Sequence, residues 1–210
     1  MEYDDENIFN GPLDKEEWVD FYLDTSEAMP RNMLEPLGNP VLVRAWVDAN
    51  HAGNLANRRS HSCILIYVNN ALVLSFSKRQ NTVESRSFGS ELAVLKIATD
   101  MIEALRYKLR CFGIHIDGPA TVLCDNKSVV TNSSVPVSVL NKRHNAICYH
   151  RIRDAQAAQI IRVAWIPREI NVSDLLTKTT MSANKKNQSL QEIFTNNSIV
   201  IHRNDDNGKA

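Results

Sequence analysis

The chain has 210 residues, is 43% hydrophobic and 23% charged, and carries a formal net charge of zero. That length supports one domain with a full core, and the composition excludes collagen-like, disulfide-scaffold and wholly disordered classes. No apolar run reaches membrane-spanning length, and the acidic opening MEYDDENIFN is no secretory signal.

The zero net charge hides an asymmetry. Residues 1–40 sum to −9 and residues 41–180 to +8. This predicts an acidic lead-in (1–40), a basic domain (41–180) and a flexible polar tail (181–210). A basic domain suits a polyanionic partner, although scattered surface lysines and arginines give the same count. Cys63, Cys111, Cys124 and Cys148 show no CxxC spacing, so they are expected to be buried thiols of a reducing compartment.

The lead-in contains Pro30, Pro36 and Pro40. It is predicted to be extended, with at most one short helix near residues 15–23. Residues 41–47 alternate as a half-buried strand and deliver Asp48 to its end. Aspartate is a poor strand residue. Taken alone, it is most simply a turn residue in the turn-rich run Asp48-Ala49-Asn50-His51-Ala52-Gly53. A polar loop over 54–60 carries Arg58 and Arg59. Strands are predicted over 63–68 and 71–77, joined at Asn69-Asn70, which completes an antiparallel meander.

Lys78-Arg79-Gln80-Asn81 closes the meander with a basic loop, and a long helix begins near residues 85–87. Its core-facing stripe is Phe88, Leu92, Leu95, Ile102, Leu105 and Leu109, and Gly113 is the stop signal. Glu91 lies beside that stripe, where a carboxylate is costly unless it is paired, bound to metal or reaching water. A strand over 120–124 ends in Asp125-Asn126, and a helix over 127–133 follows at once. Asp and Asn are good N-caps. Even so, two strand-end aspartates in one domain are harder to dismiss than one. A helix over 142–158 opens with Lys142-Arg143-His144, and a strand over 160–166 follows. Strand, helix, strand implies a right-handed parallel crossover. Asp174 stands at the start of a short helical piece over 172–178, and a short amphipathic helix is predicted near 190–194.

The order β-β-β-α-β-α-α-β-α, with acids in the order Asp, Glu, Asp, Asp, resembles the ribonuclease H fold: α/β, with a five-stranded mixed sheet flanked by helices. The local words are similar to those of copia-type LTR retrotransposon Pol polyproteins. Asp48-Ala49-Asn50-His51-Ala52-Gly53 resembles their D-A-D-W-A-G. Arg58-Arg59-Ser60-His61-Ser62 resembles R-[KR]-S-T-S, and Ser77-Lys78-Arg79-Gln80 resembles S-K-[KR]-Q. Ser90-Glu91-Leu92, Cys124-Asp125-Asn126 and Ser173-Asp174-Leu175-Leu176-Thr177-Lys178 follow in matching order. Arg86 and Gly89 depart from the pattern before Glu91. The loop Pro167-Arg168-Glu169-Ile170-Asn171 lacks the histidine that cellular ribonucleases H carry there. His144, in the place of a copia-family K-H word, is a candidate to serve instead. It is more simply a helix-start residue contacting phosphate or backbone.

The resemblance implies a metal-dependent endoribonuclease that cuts the RNA strand of RNA–DNA hybrids during reverse transcription, using Mg²⁺ or Mn²⁺. Asp48 would bridge two ions, Glu91 and Asp125 would hold one, and Asp174 the other. Asn126 and Lys127 would touch the cut strand. Lys78, Arg79, Gln80, Arg58, Arg59 and His144 are further substrate-binding candidates. The implied partners are an RNA–DNA hybrid and an upstream reverse transcriptase domain, in a cytoplasmic virus-like particle or the nucleus. The sequence shows no Y-V-D-D word, zinc knuckle or integrase zinc motif. The chain is therefore expected to be a piece, a separately expressed domain or a stand-alone remnant. The alternative function is a catalytically silent nucleic-acid-binding or structural remnant of a retroelement. An integrase is disfavoured, because its acids run Asp, Asp, Glu.

Overall fold

A computed structural model describes residues 18–54, 56–140, 143–177 and 183–194. Its central sheet has five strands in the order β4-β3-β2-β6-β7. The strands are β2 (Val43–Asn50), β3 (His61–Val68), β4 (Ala71–Arg79), β6 (Ala120–Cys124) and β7 (Ile161–Trp165). β2, β3 and β4 form the antiparallel meander, with Asn69 at φ 53 in the turn that Asn tolerates. β6 joins β2 in parallel, and β7 joins β6 in parallel. The predicted mixed five-stranded sheet is therefore present. A second, two-stranded sheet was not anticipated: β1 (Leu37–Val41) pairs in parallel with β5 (Ile114–Ile116).

Alternation along β2 sorts side chains to two faces. Val43, Ala45, Val47 and Ala49 join the larger core, under α1 (Ser87–Cys111) and α3 (Ala146–Ala157). Trp46 joins a smaller core on the other face, with Cys63, Leu65, Leu123, Ile166, Val172 and Ile193. The latter lies on α5 (Ala183–Phe194), a longer helix than the one predicted near 190–194. The remaining helices are α2 (Lys127–Ser134) and α4 (Asp174–Thr177). A single turn, Arg143–Asn145, precedes α3 where a continuous helix from 142 was predicted. Of the cysteines, Cys63 and Cys124 are buried and Cys148 half-buried, but Cys111 is exposed at the end of α1 and corrects the expectation for that thiol. No helix among the described residues is long and apolar enough to cross a membrane.

The described part of the lead-in packs on the domain. Trp18 is buried, with the Arg153 guanidinium 4.9 Å from its ring and 4.8 Å from that of Tyr149. The same guanidinium donates to the carbonyls of Asn132 (3.2 Å) and Val135 (2.7 Å), to that of Pro136, and to Ser138 Oγ (2.9 Å). Glu27 accepts from Arg106 Nε (2.7 Å) and Nη2 (2.9 Å), and from Arg110 through both of its Nη atoms. The change in charge near Val41 thus does not coincide with a packing boundary. Composition reports net charge, whereas packing here is set by single residues that cross it. The predicted helix near 15–23 falls partly outside the described residues; residues 18–22 form one turn.

Burial pushes the Glu27 carboxyl up, but the hydrogen bonds and charges of Arg106 and Arg110 outweigh it, and the net direction is down. A depressed carboxyl adds stability above its unfolded pKa and loses it as pH falls through the folded value. Glu27→Gln is therefore expected to cost about 3 kcal/mol at neutral pH, as when one partner of a buried ion pair is removed. The gap to wild type should close as pH falls through that depressed value. Urea melts of both proteins over an acid series check it; a constant gap would rule out an ionic role for Glu27.

Candidate active site

The parallel register of β2 and β6 pairs Val47 with Cys124, so Asp48 and Asp125 follow side by side at the carboxyl ends of neighbouring strands. Open α/β sheets place their sites at such ends. Asp48 is still within β2, which continues to Asn50, not at the strand end as predicted. Asp125 lies just past β6. The cap of α2 belongs to Asn126, whose Oδ1 accepts from Val129 N at 3.3 Å. Asp125 is therefore not needed as the cap.

Glu91 reaches the same end from α1 and Asp174 from the first residue of α4. Asp48 and Glu91 are each 5% exposed and Asp174 is 0% exposed, so three carboxylates stand in a site largely closed to water. Ligand atoms of Asp48, Asp125 and Asp174 all lie within 4.8 Å of one another, and so do those of Glu91, Cys124 and Asp125. Asp125 is the residue common to the two sets, the place that the resemblance gave to Asp48. All four acids picked out in the sequence are brought together.

The electrostatics are those of a cluster of like charge. Burial, then the carboxylates of Asp48 and Asp125, push the Glu91 carboxyl well above the usual range; the Ala49 backbone N–H and Arg168 offset this only in part. Glu91 Oε2 is buried and has no hydrogen-bond partner. Burial also raises the nearby thiols, Cys63 to about 12 and Cys124 well above its ordinary value, so both stay neutral. An orphaned carboxylate oxygen among acids fits hard, oxygen-preferring divalent cations.

Asp48, Glu91 and Asp125 line one cleft of about 560 Å³ with Asn50, His51, Ser87, Asn126, Lys127, Ser128, Trp165, Arg168 and Thr177, while the fully buried Asp174 is not part of its lining. Several positioning residues were not singled out in the sequence. Thr177 Oγ1 donates to Asp48 Oδ2, and its carbonyl accepts from Asn50 Nδ2 at 2.9 Å. Asn171 Nδ2 donates to the Val47 carbonyl at 3.0 Å, which ties the approach to α4 onto β2. Trp165 Nε1 donates to the Asp125 carbonyl at 3.1 Å, and Lys127 Nζ stands 4.1 Å from the Trp165 ring centre. Thr177 lies three residues after Asp174, one helical turn on, and that spacing was the available signal.

The substrate-binding candidates divide. Asn126 and Lys127 line the cleft. Lys78 and Arg79 are exposed at the end of β4, opposite Ser62 and His61, and do not line it. Arg58 is exposed and Arg59 half-buried, in the loop before β3. Gln80 is a correction: it is buried, and its Nε2 donates to Ser62 Oγ and to the Ser90 carbonyl, both at 3.0 Å, so it holds β3 to α1. His144 is exposed and outside the cleft lining, with Nε2 3.4 Å from Glu84 Oε2. Gly89 allows this arrangement, since a Cβ there would collide with the Glu84 carboxylate.

No protein-family model matches the chain. Over 141 residues, 67% of its length, it is 26% identical to the retrovirus-related Pol polyprotein from transposon RE2 of Arabidopsis thaliana. Over 142 residues it is 27% identical to that from transposon TNT 1-94 of Nicotiana tabacum. Each match covers 10% of the relative, so the chain spans about a tenth of the length of these polyproteins. Among solved structures, LC11-RNase H1, isolated from compost, superposes with a TM-score of 0.50 at 16% identity, over 73% of this chain and 99% of that one. In sequence and in fold, the chain is similar to the ribonuclease H domain of a copia-type transposon Pol polyprotein.

Proposed function

We propose that the chain is a metal-dependent endoribonuclease that hydrolyses the RNA strand of RNA–DNA hybrids, as one domain of a retrotransposon polyprotein that also carries a reverse transcriptase. The observation that carries this reading is the convergence of Asp48, Glu91, Asp125 and Asp174 at one end of the sheet, three of them on the wall of one cleft. The likeness to retrovirus-related Pol polyproteins and to a ribonuclease H supports the reaction class. Nothing in the site favours a silent remnant, which would have no reason to retain an orphaned Glu91 oxygen beside three aspartates.

The four carboxylates would hold Mg²⁺ or Mn²⁺, and Glu91 Oε2 is the free oxygen best suited to it. Ions bound there would supply activation of water and neutralisation of the phosphate. The protein does the rest. Thr177 fixes the rotamer of Asp48, and Trp165 fixes the backbone of Asp125. Lys127, steered by the Trp165 ring, and Arg168 on the facing loop offer cationic contacts to the strand being cut. Asn126 keeps its side-chain oxygen on the helix cap and so has its amide N–H₂ left for substrate. Arg58, Arg59, Lys78 and Arg79 extend the cationic surface beyond the cleft.

Purified protein is expected to cut the RNA of a hybrid in Mg²⁺ and to stop in chelator, while duplex DNA stays intact. Asp125→Asn should abolish this cleavage and leave the melting temperature equal or higher, because it relieves repulsion. A large drop in melting temperature would instead mark Asp125 as structural.

Glu91 gives a pH signature. A carboxyl with a raised folded pKa adds stability below its unfolded value of about 4.3, and that contribution is lost as pH rises through the folded value. Metal-free wild type should therefore lose stability relative to Glu91→Gln across that rise. Added Mg²⁺ should restore wild type more than the variant. Parallel melting curves for the two proteins would contradict the metal-site reading.

Lys78→Ala with Arg79→Ala should weaken hybrid binding and flatten its salt dependence by up to about two units. Cleavage at saturating protein should stay near normal, since neither residue lines the cleft. Unchanged salt dependence would remove this strand end from the binding surface.

A further inference from the structure

His51 lines the cleft and is half-buried. In the resembling word its place is taken by tryptophan, so the imidazole is a feature of this chain. The turn that carries it is pinned on both sides. Asn50 Nδ2 donates to the Thr177 carbonyl at 2.9 Å, and Ala52, at φ 51, donates its N–H to Ser60 Oγ at 3.1 Å. Gly53 leaves room for the folded-back Asn50 side chain, whose Nδ2 would be 2.5 Å from any Cβ added there.

The imidazole belongs to a chain of three side chains. His51 Nδ1 is 2.9 Å from Ser90 Oγ, and Ser90 Oγ is 2.8 Å from Ser60 Oγ. Both serines are 0% exposed. The direction of the hydrogens follows from counting donors. The Ala52 N–H can only donate, so Ser60 Oγ accepts there. If the Ser60 hydroxyl donates to Ser90, the Ser90 hydroxyl donates to His51 Nδ1 and every hydrogen is used. In any other arrangement one of the two serine hydroxyls lacks an acceptor among the described residues, in a place that water does not reach. A buried polar hydrogen without a partner is strongly disfavoured. Nδ1 is therefore the acceptor, and the neutral ring carries its proton on Nε2, which has no partner among the described residues.

We propose that His51 is a further substrate-contacting residue: a neutral imidazole, locked by Ser60 and Ser90 in the Nε2–H form, that donates to an oxygen of the nucleic-acid strand held at the carboxylates. A neutral donor suits this place. It contributes a directed hydrogen bond to the sugar-phosphate strand without putting another cation against ions held by Asp48 and Glu91. It is also preorganised, because the serine pair and the pinned turn hold the ring before substrate arrives. This assignment rests on the nucleic-acid-cutting reading for its ligand, but the tautomer itself does not.

The test has two arms. Long-range proton–nitrogen NMR of the full chain, at a pH where the ring is neutral, should show His51 protonated on Nε2. Ser90→Ala should turn that single form into a mixture. A ring protonated on Nδ1, or one unaffected by Ser90→Ala, would overturn the proposal. In the second arm, hybrid affinity is measured in the Asp125→Asn background, so that no cutting occurs. His51→Ala should weaken it about tenfold, the worth of one hydrogen bond to a charged acceptor, and His51→Gln should recover part of the loss. Equal affinity with and without His51 would overturn the proposal even if wild type cuts hybrids. If wild type does not cut, but affinity still falls in His51→Ala, the nuclease reading fails and the role of His51 stands.

Discussion

The parallel pairing of Val47 with Cys124 is the constraint on which the rest depends. It forces the next residue of each strand, Asp48 and Asp125, to lie about one strand spacing apart, near 4.8 Å. Two unit charges at that separation repel by roughly 3 kcal/mol at an effective dielectric of 20. Complete burial of one Ile or Leu contributes about 1.5–3 kcal/mol. Ile64, Ile66, Leu92, Leu95, Ile102, Ile152 and Ile161 are each 0–1% exposed around the same sheet. A handful of core side chains thus suffices to hold carboxylates that would otherwise drive the strand ends apart.

The two faces of the sheet then supply one acid each. Glu91 comes over the larger core on α1, and Asp174 comes from the side of the smaller core on α4. Asp125, past the end of its strand, is near both, which is why it is common to both acidic sets. A cluster assembled from opposite faces can form only at a strand end, where no sheet intervenes. Thr177, Asn171 and Trp165 fix the parts that meet there, each by a hydrogen bond to β2 or to the segment after β6. Few of these contacts involve neighbours in sequence, so the site exists only when the whole fold does.

That dependence also sets what could be read from residues alone. Strands β2, β3, β4, β6 and β7 were legible because alternation and turn residues are local signals, and the four acids because each stands out locally: Asp48 late in β2, Glu91 beside the apolar stripe of α1, Asp125 just past β6 and Asp174 at the start of α4. The pairing of β1 with β5 was not, because it joins Leu37 to Ile114 and periodicity names no partner. Gln80 looked like part of a basic loop, yet its side chain turns inward to Ser62 and the Ser90 carbonyl. A polar residue between cations carries no mark of which way it faces. Glu27 likewise read as one more acid of an extended lead-in, while its two arginine partners lie 79 and 83 residues away. Of the tail expected over 181–210, residues 183–194 form α5, while residues 181–182 and 195–210, like Lys142, lie outside the described residues.

The count of +8 over residues 41–180 does not say where that charge faces a polyanion. Arg106 and Arg110 are spent on Glu27, Arg151 on Asp100 and Glu103, and Arg153 on carbonyls and aromatic rings. Lys96 pairs with Asp100. What remains near the cleft is local: Lys127 and Arg168 on its wall, with Arg58, Arg59, Lys78 and Arg79 on the meander side. Attraction for a backbone of phosphates therefore comes from a few side chains around an acidic centre and not from a uniformly basic surface. On the proposed reading, such a layout would hold a strand along the cleft while its centre repelled phosphate until cations entered. Affinity and cutting would then be separable properties of one surface, because the residues that attract the strand would not be those that hold the ions.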